Sequence, residues 1–107
     1  MEQTILRRTW AEIDLDALEH NYRRARAIAG EGVKYLGVVK ADAYGHGAVA
    51  VAEAIAPYCR FFGVSCTREA DEVRSAVGDA PRILILGYSL PEEAETLVTT
   101  GVIQTVY

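Results

Sequence analysis

Tyr35-Leu36-Gly37-Val38-Val39-Lys40-Ala41-Asp42-Ala43-Tyr44-Gly45-His46-Gly47 is where the chain changes character. The apolar run Tyr35 to Val39 ends in a lysine, and small residues, a tyrosine and two glycines follow at once. This spacing predicts a strand that stops and a tight loop that begins. In parallel α/β proteins, catalytic groups sit at the carboxyl ends of strands, on loops held by a rigid sheet. A free lysine has a pKa of about 10.4, so at pH 7 roughly one molecule in a few thousand carries the neutral amine. A lysine that attacks a carbonyl must therefore be desolvated or placed near another cation. Lys40 leaves an apolar wall of Leu36, Val38 and Val39, while Tyr44 and the backbone N–H groups around Gly45 and Gly47 offer donors for a phosphate. The same residues also fit a lysine that snorkels from a strand end into water. Asp42 suits an Asx-type turn contact more economically than orienting Lys40. His46, between two glycines, suits bracing the loop or capping a helix better than acid–base catalysis.

Outward from this stretch, the pattern predicts strands and helices in alternation. Arg8 to Ile13 reads as a short strand with Trp10 as its packing residue. Asp14 is a helix N-cap, and Leu18, Tyr22, Ala25 and Ala29 recur at helical spacing up to Gly30, with the arginines outward. The strand Lys34 to Val39 follows, then a helix from Ala48 to Ala56 that ends near Pro57. Arg60 to Ser65 reads as the next strand. Thr67 is a candidate cap for a helix that runs to Gly78, and Glu69 and Asp71 suit its first turn through the helix dipole. Arg82 to Leu86 is a nearly unbroken apolar run, as a parallel strand covered on both faces requires. Leu86 and Gly87 leave it at the same end of the sheet as Lys40. Ser89 and Glu92 form a capping-box pattern for a helix from Pro91 to Thr99, stopped by Gly101. Val102 to Tyr107 is a fourth strand. The expected architecture is a parallel α/β unit, the first half of a (β/α)8 barrel preceded by a short N-terminal strand.

Composition bounds what such a unit can do. A complete barrel takes about 250 residues, so 107 residues hold part of one. Half the residues are apolar and 24% are charged, as in soluble globular proteins. A net charge of -4 argues against a nucleic-acid partner, which calls for a clustered basic face. Cys59 and Cys66 lack the spacing of a disulfide framework or a metal site and read as reduced and buried. No apolar run approaches the roughly 18 residues of a membrane span, and no signal peptide is evident, so a cytoplasmic, non-membrane protein is expected.

The string from Val38 to Gly47 resembles the pyridoxal-phosphate attachment signature of alanine racemases. Thr9-Trp10-Ala11-Glu12-Ile13-Asp14-Leu15-Asp16-Ala17-Leu18 is similar to the opening of those enzymes. Two motifs in the right order make the resemblance specific, and it covers nearly the whole chain from Thr9 onward. It implies that Lys40 holds pyridoxal 5'-phosphate covalently, that Tyr44 hydrogen-bonds its phosphate, and that Leu86 is a candidate for packing on its ring, beside an ordinary core role. It further implies a homodimeric isomerase that interconverts L-alanine and D-alanine, the latter for peptidoglycan.

In that family Lys40 is one base, and a tyrosine from the partner's C-terminal domain is the other. Residues 1–107 would then be a partial N-terminal barrel domain, with the rest of the barrel, the C-terminal β-domain, the second base and the arginine at the ring nitrogen outside it. Such a piece is expected to be inactive alone, and its open strand edge to pair with another copy or aggregate. Two other readings stay open: a serine racemase of the same family, and a non-catalytic half-barrel assembly module.

Overall fold

A computed structural model describes residues 8–107. Helix α1 (Leu15–Ala29) starts where Asp14 Oδ1 accepts the Ala17 N–H at 3.0 Å, and stops at Gly30, whose φ of 88° suits glycine. Strand β1 (Gly37–Val38) leads into a short turn, α2 (Lys40–Tyr44), and then into α3 (Ala48–Ile55). The pattern repeats as β2 (Phe61–Val64), α4 (Thr67–Val77), β3 (Arg82–Ile85), α5 (Ala94–Thr100) and β4 (Ile103–Gln104). The four strands form one parallel sheet in the order β1-β2-β3-β4. Each strand lies beside its sequence neighbour across an intervening helix, which is the half-barrel connectivity read from the sequence.

The core lies between the sheet and the helices. Phe62 and Val64 of β2 and Ile83 and Ile85 of β3 are fully buried, and α3 and α4 add Val51, Ala52, Ile55, Ala70 and Val73 to the same cluster. Alternate strand residues point the other way. Leu84 and Leu86 are half-buried and Val38 of β1 is exposed, so β3 is fully covered only on the face of Ile83 and Ile85, not on both as its apolar run suggested. Gly37 is needed on the buried face, because a Cβ there would come 3.0 Å from Cys59 Sγ and 3.2 Å from Ile55 Cδ1.

Several local expectations are corrected. Arg8 to Ile13 forms no strand, and Trp10 is 68% exposed, its indole N–H donating to Glu12 Oε1 at 3.1 Å. An isolated extended segment without a pairing partner cannot satisfy its backbone as a strand. Thr67 does not cap α4; its hydroxyl donates to Glu93 Oε1 at 2.6 Å. The reach-back carboxylate before α5 is Glu93, not Glu92, and it accepts the Leu90 N–H at 2.7 Å, while Ser89 binds Gln104 instead. Cys66 is half-buried, unlike Cys59. The α1 arginines are not all free in water, since Arg26 donates to the Tyr58 carbonyl at 2.6 Å and so helps hold α1 against the β2 entry.

Where β3 leaves the sheet, it passes tightly against the end of β2. A Cβ on Gly87 would lie 2.5 Å from the Ser65 carbonyl oxygen, a backbone atom that cannot swing aside. Gly87→Ala should therefore lower unfolding free energy by about 1–3 kcal/mol through forced backbone displacement. Urea denaturation checks this, and an unchanged midpoint would show that the two exits separate freely.

Candidate active site at the carboxyl ends of the strands

The lysine-bearing turn is wound with the wrong hand. Ala41, Asp42, Ala43 and Tyr44 have φ values of 52°, 54°, 53° and 56°, four consecutive non-glycine residues in left-handed geometry. Each such residue costs roughly 1–2 kcal/mol relative to the right-handed form. That penalty persists only where surrounding contacts over-determine it, and such strain clusters at functional sites. The contacts are present. The Ala43 N–H donates to the Val39 carbonyl at 2.9 Å, and the Asp42 carbonyl accepts the Gly47 N–H at 2.9 Å. Asp42 Oδ1 accepts the Ala48 N–H, the first of α3, at 2.9 Å. Asp42 thus fastens the loop to the next helix and does not turn toward Lys40. His46 Nδ1 lies 3.0 Å from the Ala43 carbonyl, so it braces the loop as expected. A sequence pattern of small residues and glycines announces a loop but not its hand.

The parallel register then gathers the candidate residues at one rim. Val38 lies opposite Gly63, and Val64 opposite Ile85. Continuing each ladder by one or two residues sets Lys40, Ser65 and Leu86 in one row at the carboxyl ends of β1, β2 and β3. The bonds Val39 N–H to Gly63 carbonyl (2.9 Å) and Leu86 N–H to Val64 carbonyl (2.7 Å) carry the pairing that far. Two inter-strand spacings put Lys40 and Leu86 roughly 10 Å apart at the backbone. The side chains of Leu86 and Leu36 close over Gly63, where a Cβ would meet them at 3.2 and 3.4 Å, and they make an apolar shelf on the open face. Lys40 is half-buried and its side chain makes no hydrogen bond or ion pair among the described residues. Tyr44 is 63% exposed, and its hydroxyl likewise has no partner among them. Lysine amine, phenol and leucine shelf therefore lie at the same end of the sheet, with their polar ends free for a ligand.

One residue of this rim was read from the sequence as no more than a helix-dipole acid. Glu69, in the first turn of α4, is 8% exposed, the one buried charged side chain among the described residues. Its Oε1 accepts the Ser65 N–H at 2.7 Å and the Ser65 hydroxyl, and its Oε2 accepts the Ala41 N–H at 2.8 Å. A serine four residues before an acid at a strand-to-helix junction signals the local half of this arrangement. The bond to Ala41, across 28 positions, has no sequence signal. Burial pushes the Glu69 carboxyl up, but the bonds from Ser65 and Ala41, helped by Arg68, outweigh it and leave the group below its ordinary value of 4.5. A carboxylate with a depressed folded pKa contributes stability that is complete above the unfolded value and is lost as pH falls through the folded one. Tm should hold steady down to the ordinary carboxylate range and decline below it, and Glu69→Gln should remove part of that decline. A melting series in acid checks this, and identical pH profiles for the two proteins would refute it.

Comparison with known proteins bears on the fold and the family. The family model described as the N-terminal domain of alanine racemase matches residues 13–107. An alanine racemase of Xylella fastidiosa is 50% identical over 92 residues, covering 86% of this chain and 25% of that protein. Among solved structures, alanine racemase of Clostridium difficile 630 superposes with a TM-score of 0.85 at 40% identity, over 97% of this chain and 27% of that one. An alanine racemase of Bartonella henselae with covalently bound pyridoxal phosphate superposes with a TM-score of 0.80 at 31% identity, over 86% of this chain and 27% of that one. The chain thus spans about a quarter of the length of the relatives it matches. It belongs to the alanine racemase family, within the N-terminal part of the barrel domain.

Proposed function

We propose that this chain supplies the cofactor-bearing half-site of a pyridoxal-phosphate-dependent alanine racemase, with Lys40 as the attachment residue. That amine is half-buried at the carboxyl rim of the sheet, with no carboxylate to neutralise it among the described residues. A snorkelling structural lysine would share that state, and the observation that supports attachment here is that Lys40 leads into four consecutive left-handed residues and shares its row with Leu86 of the apolar shelf. The surroundings fit the group in kind. Lys40 Nζ is the nucleophile for its aldehyde, the Tyr44 hydroxyl is a donor for its phosphate, and Leu86 with Leu36 offers an apolar surface for its ring. Bound there, pyridoxal phosphate supplies an electron sink for the charge left when an amino acid loses its α-proton.

The remaining chemistry falls to the protein. Lys40 Nζ, when not holding the cofactor, takes the α-proton from the face it occupies and returns it there. Inversion needs a second acid–base group on the opposite face, and the left-handed turn places no other titratable side chain beside Lys40 in the same row. Racemisation therefore belongs to a larger assembly, with alanine as substrate by kinship with enzymes of that name, in a homodimer and with further protein segments completing the site. The 107-residue polypeptide by itself should show no conversion of L-alanine to D-alanine with cofactor added. A chiral assay measures this, and detectable turnover would contradict the need for a second base.

The attachment is tested directly by mixing the chain with pyridoxal phosphate, reducing with borohydride and mapping the modified peptide. Label confined to Lys40 is expected. Equal label on Lys34, the other lysine of the sequence, would make Lys40 an ordinary amine and favour a non-catalytic half-barrel.

A further inference from the structure

Glu69 does more than a helix-terminal acid requires. Favourable interaction with the helix dipole is available to a carboxylate that stays in water, and withdrawing a charge from water costs several kcal/mol unless donors replace the lost solvent. Glu69 is withdrawn, and its donors come from two different strand ends: Ser65 after β2, and Ala41 after β1. Ala41 is the residue that follows Lys40 and the first of the four left-handed residues. A lone N–H at that point has lost the sheet and has not yet entered a regular helix, so the carboxylate Oε2 at 2.8 Å supplies the acceptor. This hydrogen bond is charge-assisted, the kind that resists opening more than neutral ones do.

We infer that Glu69 is a positioning residue for Lys40: its carboxylate clamps the Ala41 N–H to the β2 exit, and so holds the peptide on the carboxyl side of the lysine in its left-handed setting. The role assigned to Glu69 needs no contact with cofactor or substrate. It acts through the backbone, by deciding which way the Lys40 stem leaves the sheet. The inference rests on the reading of Lys40 as the attachment residue, but the clamp itself is a property of the chain without ligand.

Glu69→Gln tests it. The glutamine oxygen can accept from Ser65 or from Ala41, and its amide nitrogen then faces the other N–H without accepting from it. Amide hydrogen exchange of the 107-residue chain without ligand should show Ala41 losing about tenfold in protection, with the core amide of Val73 unchanged. With pyridoxal phosphate as the probe, the rate of borohydride-trapped labelling at Lys40 should fall by about tenfold. Adding Ala41→Gly to Glu69→Gln should restore most of the labelling, because glycine enters the left-handed region without the Cβ penalty. Recovery through Ala41, which Glu69 meets at the backbone N–H, is not expected of a merely structural acid.

Unchanged Ala41 exchange in Glu69→Gln overturns the clamp, as does a loss of protection at Ala41 and Val73 alike that Ala41→Gly fails to relieve. If the unsubstituted chain takes no label at Lys40, the attachment reading falls and the positioning role falls with it. The exchange result then still reports whether Glu69 holds the turn, so the two failures are told apart.

Discussion

Lys40→Ala should abolish pyridoxal-phosphate attachment while leaving the fold intact. The expected drop in trapped label is at least about a hundredfold, because an oriented amine beside a bound aldehyde outruns a solvated amine by several orders of magnitude. Lys34 cannot take over: it lies before β1, at the opposite end of the strand, and is exposed. The fold should survive because the Lys40 side chain makes no hydrogen bond or ion pair among the described residues. Its removal therefore leaves no buried partner unsatisfied, and the stability change should stay within about 1 kcal/mol. Mass spectrometry of the reduced adduct and a urea titration give the two readouts. Undiminished labelling of Lys40→Ala would remove the amine from its proposed role. A large loss of stability would show that the lysine is part of the scaffold.

Phe62→Ala should have the opposite signature, collapsing the scaffold and losing the site only as a consequence. Phe62 has no solvent exposure, belongs to β2 between β1 and β3, and has its ring 3.5 Å from where a Cβ on Gly37 would stand. Truncating a buried phenylalanine costs about 3–5 kcal/mol, combining lost transfer energy with the cavity left behind. A chain of this length has about 5–15 kcal/mol of stability in total, so the variant should lose on the order of 20 °C in Tm and unfold in part under mild urea. Because β1 pairs with β2 alone, loosening β2 releases the strand that carries Lys40. Labelling at Lys40 should then fall in proportion to the unfolded fraction. A native melting curve for Phe62→Ala would mean that the core is not organised around this ring.

These two experiments separate what the residue pattern makes visible from what it hides. The helix Leu15–Ala29 was legible at both ends because its cap and its stop are local chemistry: Asp14 reaches an N–H three residues on, and Gly30 takes a positive φ that other residues avoid. The order of strands was legible because apolar runs separated by helical repeats leave few topologies. Capping was less so. Ser89 and Thr67 are the right residue types for caps, yet each spends its hydroxyl on a side chain distant in sequence. The strand predicted at Arg8 to Ile13 failed for a related reason, since an extended segment becomes a strand only where another strand presents its edge.

At the site, Lys40 stood out in the sequence because it ends an apolar run, while Tyr44 and Leu86 were named through the resemblance to the family. What their neighbours do was not legible. The left-handed hand of the Ala41–Tyr44 turn is visible only in the folded chain, and the hydrogen bond from the Ala41 N–H to Glu69 joins segments 28 residues apart. Local preference opposes that turn at every one of its four residues. By itself, then, the sequence determined the alternation of strands and helices, the family, and the strand end that carries the amine, because those depend on periodicity and on short motifs. Only the tertiary structure decided the direction in which the chain leaves that strand, because a backbone conformation disfavoured on its own persists only where surrounding contacts hold it, here the hydrogen bonds within the loop and the one from the Ala41 N–H to the buried Glu69 carboxylate.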